Sequence, residues 1–338
     1  MQNQYGNISP RTAAFAVKTL LDAGQYIMVL ERYGQVDPQG KNKTKVRKWR
    51  RYESLPRATA PLAEGVVPGG RQITYTDITA TLEQFGDYVE ITDVIKDTHE
   101  DPVLQEMSKR CGEQAAETIE VIRFNVLKAG TNVYYTGTAT SRATLAATIN
   151  RTVLHKVVRG LKKNKAREIT SIIAASAKIA TEPVAPAFFG LAHTDLAADI
   201  QAITGFTPVE KYADSSKAMP GEIGKVLGVR FICSALFEAW LSAATSTSVT
   251  TFLAGGVVPT AAANPDVYPV LVIARDAYAI VPLQGFNSVD VGVVNPAKVI
   301  GDPMGQKGFV SWKTYQATAI LNENWMARIE CLATASPD

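Results

Sequence analysis

The 338-residue sequence is poor in the side chains on which catalysis and metal binding most often rest, with three histidines and three cysteines. Cys111, Cys233 and Cys331 lie far apart. No pair has the spacing of a metal knuckle or redox motif, and an odd count argues against a disulfide framework. They read as small apolar side chains kept reduced. His99, His155 and His193 fall in different segments, none with a second ligand at helical spacing. His193, just before a predicted helix, reads as a structural contact and not a base. The G-x-S-x-G elbow, the Walker A loop and the G-x-G-x-x-G fingerprint are all missing. Gly221, Gly224 and Gly228 have the wrong spacing and no following Lys-Ser/Thr. The expectation is a non-enzyme that needs no cofactor or metal.

An excess of one charge is missing too. Lys plus Arg total 35 against 32 for Asp plus Glu, which does not suit a dedicated nucleic-acid-binding domain. Long apolar runs are also lacking. The longest uncharged stretch, residues 239–265, is broken by Pro259, by Gly255-Gly256 and by many Ser and Thr, so it reads as loop and not as a membrane span. Residues 1–24 have no apolar core of a secretory signal and carry Arg11, Lys18 and Asp22. The Asn-x-Ser/Thr triplets at Asn7, Asn42 and Asn150 carry no meaning without a secretory route. A protein made and kept in a cytoplasm is expected. With 46% hydrophobic and 20% charged residues, the chain can bury a core, as two domains or one elaborated one.

The pattern that is present is mixed α+β. Ser9-Pro10, then Ala14, Val17 and Leu21, with Gly24 after them, predict a short capped helix that could bury little alone. Residues 41–53 read as an exposed strand with Val46, Trp49 and Tyr52 among basic residues. Residues 54–70, rich in Pro and Gly, form a loop, and 72–92 alternate as a second strand through Ile73, Tyr75, Ile78, Ala80 and Leu82. Strand, long loop and strand make an extended hairpin, which is marginal in water unless something covers it.

The clearest helix follows, over residues 102–128. Asp101 is its expected N-cap, Pro102 its first residue, and Gly130 closes it. Leu104, Met107, Cys111, Ala115, Ile119, Ile122 and Val126 form one apolar stripe. About 27 residues at 1.5 Å each give a rod of roughly 40 Å laid across a sheet. A second helix is expected over 142–163, with Leu145, Ile149, Val153, Val157 and Leu161 at four-residue steps and Arg151, His155, Arg159 and Lys162 opposite. Small residues and loops dominate from Ile169 past Pro183, Pro186 and Gly190. A short helix is predicted at 196–203, after Thr194-Asp195. Buried strands are predicted at 225–234, 267–274 and 278–283, with two long strands over 309–333 broken near Asn322-Glu323-Asn324.

The basic run from Lys41 to Arg51 has seven positive residues and no acid. It reads either as a nucleic-acid patch or as an edge strand protected by its charges and paired with acids of a neighbouring subunit. The second reading is preferred. The basic face of the second helix has the same two readings.

The segments KVRKWRRYESLPRATAPLAEGVVPGG from Lys45, QFGDYVEITD before Val94, LAHTDLAADI from Leu191, PGEIGKVLGVRFICS from Pro220, YPVLVIARDAYAIVPL from Tyr268 and DPMGQKGFVSWKTYQATAILNENWMARIE from Asp302 stand in a fixed order. That ordered series resembles the major capsid proteins of tailed bacteriophages, in particular the N-four-like podophage branch, over nearly the whole chain. The resemblance implies the tailed-phage major capsid protein fold, an α+β fold. Its parts would be an N-terminal arm (1–40), an extended hairpin loop with its base strands (41–92), a peripheral domain with a spine helix (93–138 and 302–338) and a central axial domain (139–301). The implied function is self-assembly into hexamers and pentamers of an icosahedral shell around double-stranded DNA, in the virion, built in the host cytoplasm.

Implied partners are further copies of the chain, a portal protein, scaffolding and decoration proteins, and packaged DNA by weak contact, with no membrane. Candidate subunit contacts are Lys45, Arg47, Lys48, Trp49, Arg50, Arg51, Leu55, Leu62, Val66, Val67, Arg151 and Arg159. Alternatives are an encapsulin-type compartment, which shares the fold, and a nucleic-acid-binding protein using Lys41 to Arg51. Some members of the fold join a loop-tip lysine to a neighbour's asparagine. Residues 53–70 contain no lysine, so a shell without such cross-links is expected.

Overall fold

The structure is a computed structural model. It describes residues 28–59, 61, 64–65, 67, 69–94, 103–169, 185–212, 218–245, 251–258, 263–283, 289–294, 296 and 303–335. The expected arm helix at 9–24, the expected helix cap at Asp101-Pro102, and Leu62 and Val66 lie outside these residues.

Strands β1 (Gln35–Val36), β2 (Val46–Tyr52), β3 (Tyr75–Thr81) and β4 (Glu83–Thr92) come first. Helix α1 (Val103–Lys128), β5 (Val133–Tyr135) and α2 (Arg151–Lys163) follow. Then come β6 (Phe188–Ala192), α3 (Ala197–Gln201), β7 (Thr207–Pro208), β8 (Glu222–Val226) and β9 (Val229–Cys233). The chain closes with β10 (Tyr268–Ile273), β11 (Tyr278–Pro282), β12 (Asp290–Val294), β13 (Lys307–Ile320) and β14 (Met326–Cys331).

Seven strands form one sheet in the order β5-β14-β10-β6-β9-β8-β7. Its central strands are apolar without alternation because both faces are covered. Phe188, Val270, Val272 and Ile329 face one core with Val153, Val157 and Leu161 of α2, while Phe189, Leu191, Leu271 and Ile273 face another with Phe124 and Leu127 of α1. The second sheet is organised by the 14-residue strand β13. It pairs with β4 along one edge, and with β11 and then β12 along the other. β1 lies parallel to β11. Both β10–β11 and β13–β14 are consecutive strands that pass from one sheet to the other, so the sheets share two crossings.

Sheet membership cuts across the expected domain bounds. β14 and β5 sit in the seven-stranded sheet, whereas β11 and β12 sit in the β13 sheet. Three further sequence readings are corrected. The predicted single strand at 225–234 is the hairpin β8–β9, because Leu227 (φ 52°) and Gly228 (φ 78°) both turn left-handed and reverse the chain. Residues 188–192, read as loop, form the buried strand β6, whose Gly190 admits the ring of Phe231: an added Cβ would meet it at 2.8 Å. The second helix begins at Arg151 and not at Arg142. Asn150 caps it by accepting from the Val153 amide at 3.0 Å, and Ala147 and Thr148 run beside Leu332 instead of coiling. The four-step residues Leu145, Ile149, Val153, Val157 and Leu161 are nonetheless all buried.

Helix α1 spans both sheets. Cys111 and Ala115 pack on Val310 and Trp312 of β13, and Phe124 and Leu127 pack on the seven-stranded sheet. Its apolar stripe turns slowly, as a 3.6-residue repeat must, so Ile122 and Val126 are only half-buried and Glu120, Arg123, Phe124 and Leu127 take the inner positions. Arg328 donates to the carbonyls of Lys128 and Gly130, closing the helix's C-terminal end.

Glu120 and Arg123 lie at the junction, both buried. Glu120 Oε1 accepts from the amides of Val29 (3.1 Å) and Leu30 (2.9 Å), while Arg123 reaches Gln316 of β13 (2.9 Å) and Glu31 (3.4 Å). Burial pushes the Glu120 carboxyl up from 4.5 to about 7, against the two amides and Arg123, which favour its charged form. The folded subunit therefore holds a proton that the unfolded chain releases above 4.5. Stability falls as pH rises from 4.5 to about 7 and is level above, by about 3 kcal/mol in all at 1.36 kcal/mol per pH unit. Glu120→Gln, which keeps an acceptor for Val29 and Leu30, should flatten that slope in melting curves taken from pH 5 to pH 8. Equal slopes in both proteins contradict the assignment.

Candidate assembly surface

β2 and β3 pair antiparallel, with Trp49 opposite Ile78, Arg50 opposite Asp77 and Tyr52 opposite Tyr75. Because side chains alternate along a strand, Arg47, Trp49 and Arg51 turn inward while Lys48, Arg50 and Tyr52 turn out. Trp49 and Ile78, with buried Ala80 and Leu82, pack on Val281, Ala317 and Ala319 of the β13 sheet. That contact is the cover a lone hairpin needs.

One carboxylate fixes the inward face. Asp37 follows β1 and its amide donates to Ile280 O at 3.0 Å, so it is anchored to the β13 sheet. It accepts from Arg47 Nε (2.9 Å), Arg47 Nη2 (2.6 Å) and Trp49 Nε1 (2.8 Å). Arg51 donates to Leu321 O at 3.0 Å and lies 3.8 Å from Glu53. On the outward face Asp77 binds Arg50 at 2.8 Å and Lys48 at 3.0 Å, and these cations hold its carboxyl well below the usual carboxylate range. Lys45 is exposed, and its carbonyl accepts from the Leu82 amide. The basic run was expected to find its acids on a neighbour. Four of its cations instead pair within their own chain, because the hairpin register and the β1 extension bring Asp77, Asp37 and Glu53 beside them. The expectation of a free nucleic-acid patch on this run weakens for the same reason.

Beyond the paired strands the chain leaves the body. Glu53 N donates to Thr74 O at 3.0 Å, and Arg71 reaches Pro56 O at 3.3 Å. Every described residue from 53 to 75 is exposed, with Leu55 at 52% and Val67 at 92%. At its root the exposed rings of Tyr52 and Tyr75 meet edge-on at 6.3 Å, and the Arg50 guanidinium lies 4.1 Å above Tyr75. The half of the β13 sheet face that the hairpin leaves open carries a groove of about 700 Å³, between Tyr88, Phe309, Gly86, Gly292 and the Lys313–Asp290 pair (3.6 Å). Tyr88 and Phe309 are exposed.

Arg151 and Arg159 stand apart from all this, on the exposed side of α2, where Arg151 donates to Thr204 O at 2.6 Å. His193 caps the turn before α3 by accepting from the Asp195 amide at 3.2 Å. Among the described residues no group of three or more His, Cys, Asp and Glu is placed to hold a metal, and no helix is long and apolar enough to cross a membrane. The sequence reading missed Asp37, Asp77 and Glu120. Asp77 had a signal: aligning 46–52 against 75–81 sets it opposite Arg50.

Asp37→Ala removes the acceptor of three inward-facing donor groups on Arg47 and Trp49, and a charge-assisted bond contributes about 2 kcal/mol. The variant subunit should lose about that much stability in denaturant melts, and the amides of β2 and β3 should exchange faster. Unchanged exchange in the hairpin would show that Trp49 packing alone holds it.

The family model described as phage capsid protein matches residues 75–329. A major capsid protein of Pseudomonas phage KPP21 is 26% identical over 280 residues, covering 75% of this chain and 66% of that relative, a little under two thirds of its length. Among solved structures, the capsid of Ralstonia phage GP4 superposes with a TM-score of 0.61 at 10% identity, over 90% of this chain and 88% of that one. The capsid structure of cyanophage P-SCSP1u gives 0.57 at 14% identity, over 90% and 88%. The two sheets, the bridging helix and the projecting hairpin are thus the phage capsid fold, and this chain belongs to the phage capsid protein family.

Proposed function

We propose that the chain is the repeating subunit of an icosahedral phage head, assembling as hexamers and pentamers around double-stranded DNA. The observation that carries this is the division of labour in residues 41–81. The strands are locked to their own subunit through Asp37 and Trp49, yet every described residue of the loop they lead into is exposed, Leu55 and Val67 among them. A monomer gains nothing from ordering such a loop. A neighbour does, and the open groove beside Tyr88 and Phe309 offers it two exposed rings among polar and charged groups, Asp87, Ser311 and the Lys313–Asp290 pair. The relatives are phage proteins, which favours a genome shell over an enzyme compartment.

In this reading the α1–β13 sheet unit is peripheral and the seven-stranded sheet unit is axial; of the expected arm, residues 28–40 belong to the body, where Leu30 and Tyr33 are buried and Gln35–Val36 pair with β11. The role is structural and not enzymatic. Further copies of the chain are the main partner, and a portal, scaffolding and decoration proteins are additional ones. Assembly takes place in the host cytoplasm.

Replacing residues 54–70 with a short turn tests the reading. The subunit should melt near normally, while electron microscopy should find no closed particles. Loss of the folded subunit would place the loop in its own core and overturn the reading.

The loop has no lysine, and the nearest one before it, Lys48, is held by Asp77 on the strand. At no more than about 3.6 Å per residue, its side chain is tied far from the tip. Cys111 and Cys331 are buried. Particles boiled in denaturant without reductant should therefore run as one band near 36.4 kDa. A ladder of pentamer- and hexamer-sized bands contradicts a shell without cross-links.

A further inference from the structure

Two segments look alike in sequence and differ in the fold. The basic run of β2 is neutralised by acids of its own chain, as described above. Helix α2, RTVLHKVVRGLKK, holds five Lys and Arg, one His and no acid. Arg151, His155, Arg159 and Lys162 stand at steps of four, four and three, one stripe along the helix, with Lys156 and Lys163 in the adjacent row. The opposite side, Val153, Leu154, Val157 and Leu161, is sunk in the larger core, so the stripe sits on a rigid support. Lys162 pairs with Glu168 at 3.4 Å. Among the described residues, Lys156, Arg159 and Lys163 have no acid within ion-pair distance.

We propose that this face of α2 binds the phosphate backbone of double-stranded DNA. The proposal rests on the shell reading and names a place where the subunit would touch its cargo. Two observations favour it over an ordinary solvated face or a protein contact. Arg151, in the first turn, is held by the Thr204 carbonyl, so the case rests on Lys156, Arg159 and Lys163. Ordinary surfaces intersperse both signs, and this one does not. No large exposed hydrophobic residue falls between Val94 and Leu241 among the described residues. A protein interface needs an apolar centre and is depleted in lysine, whereas a polyanion needs neither condition. The helix is about 20 Å long, and duplex DNA presents a charge every 1.7 Å or so of its axis. Several phosphates therefore lie within reach of the stripe without regard to base sequence.

The test compares the full-length wild-type protein, a Lys156→Gln/Arg159→Gln/Lys163→Gln variant and a Lys48→Gln/Arg50→Gln hairpin variant. Each is titrated with a short random-sequence duplex over a range of salt. Neutralising three phosphate contacts should weaken binding at least roughly tenfold at low salt and lower the slope of log affinity against log salt by about 2.7. The hairpin variant should match the wild type. An unchanged slope in the helix variant overturns the proposal. So does displacement of the duplex by poly-glutamate at equal charge, which would assign the face to an acidic protein. Particles counted by microscopy keep the two readings separate. The helix variant should still form shells, and failure of the wild type to form any would defeat the shell reading without altering the titration.

Discussion

The buried face of α1 is the contact to which the rest of the fold is referenced. One turn of the helix rests on Trp312 of the β13 sheet, and three turns later Phe124 and Leu127 rest on the seven-stranded sheet. Neither sheet could hold a fixed angle to the other through the two strand crossings alone, since each crossing is a short turn. A continuous helix with no proline removes that freedom. The cost appears at the junction, where Glu120 and Arg123 are buried with Glu120 Oε2 and Arg123 Nε unpartnered by hydrogen bonds. What they secure is specific: Glu120 seizes the backbone at Val29 and Leu30, and Arg123 reaches β13, so the chain entering the body and both sheets meet at one point.

The hairpin depends on that frame in turn. β13 offers its other face to Trp49 and Ile78, and β11 fixes the backbone that presents Asp37. Charge on β2 is thereby turned from a liability into a latch. Its inward cations hold the strands down, and its outward ones, Lys48 and Arg50, are paired by Asp77. Past Tyr52 and Tyr75 every described residue of the loop is exposed. A projecting element that is rigid at its base and uncommitted at its tip suits contact with an identical neighbour, because its position is set before the neighbour arrives.

Much of this was legible in the sequence where one physical signal acted alone. The stripe from Cys111 to Ile119 gave α1 and the apolar runs at 268–273 and 278–282 gave two buried strands, whereas the single strand expected over 72–92 is two, the returning hairpin strand β3 and, after Leu82, β4 in the β13 sheet. The readings failed where long-range contacts overrode the local pattern. The four-step series from Leu145 to Leu161 is buried throughout, but its first part lies beside Leu332 and not in a helix, and periodicity does not separate those two ways of burying a residue. Phe188 to Ala192 looked like loop because Pro186 and Gly190 punctuate it, yet Gly190 is there to admit Phe231. The candidate surface was legible as residues and not as partners. Lys48 and Arg50 stood out, while the one carboxylate that satisfies both, Asp77, lies 29 and 27 residues further on and was visible only through the strand register.

The account turns on where residues 53–70 come to rest once many copies meet. Electron cryo-microscopy of assembled particles, at a resolution that traces this loop, decides it. Density for Leu55 and Val67 should lie against a different copy of the chain from the one whose Asp37 holds Arg47 and Trp49. A loop folded back onto its own subunit, with the sheet groove beside Tyr88 and Phe309 facing solvent, would contradict it.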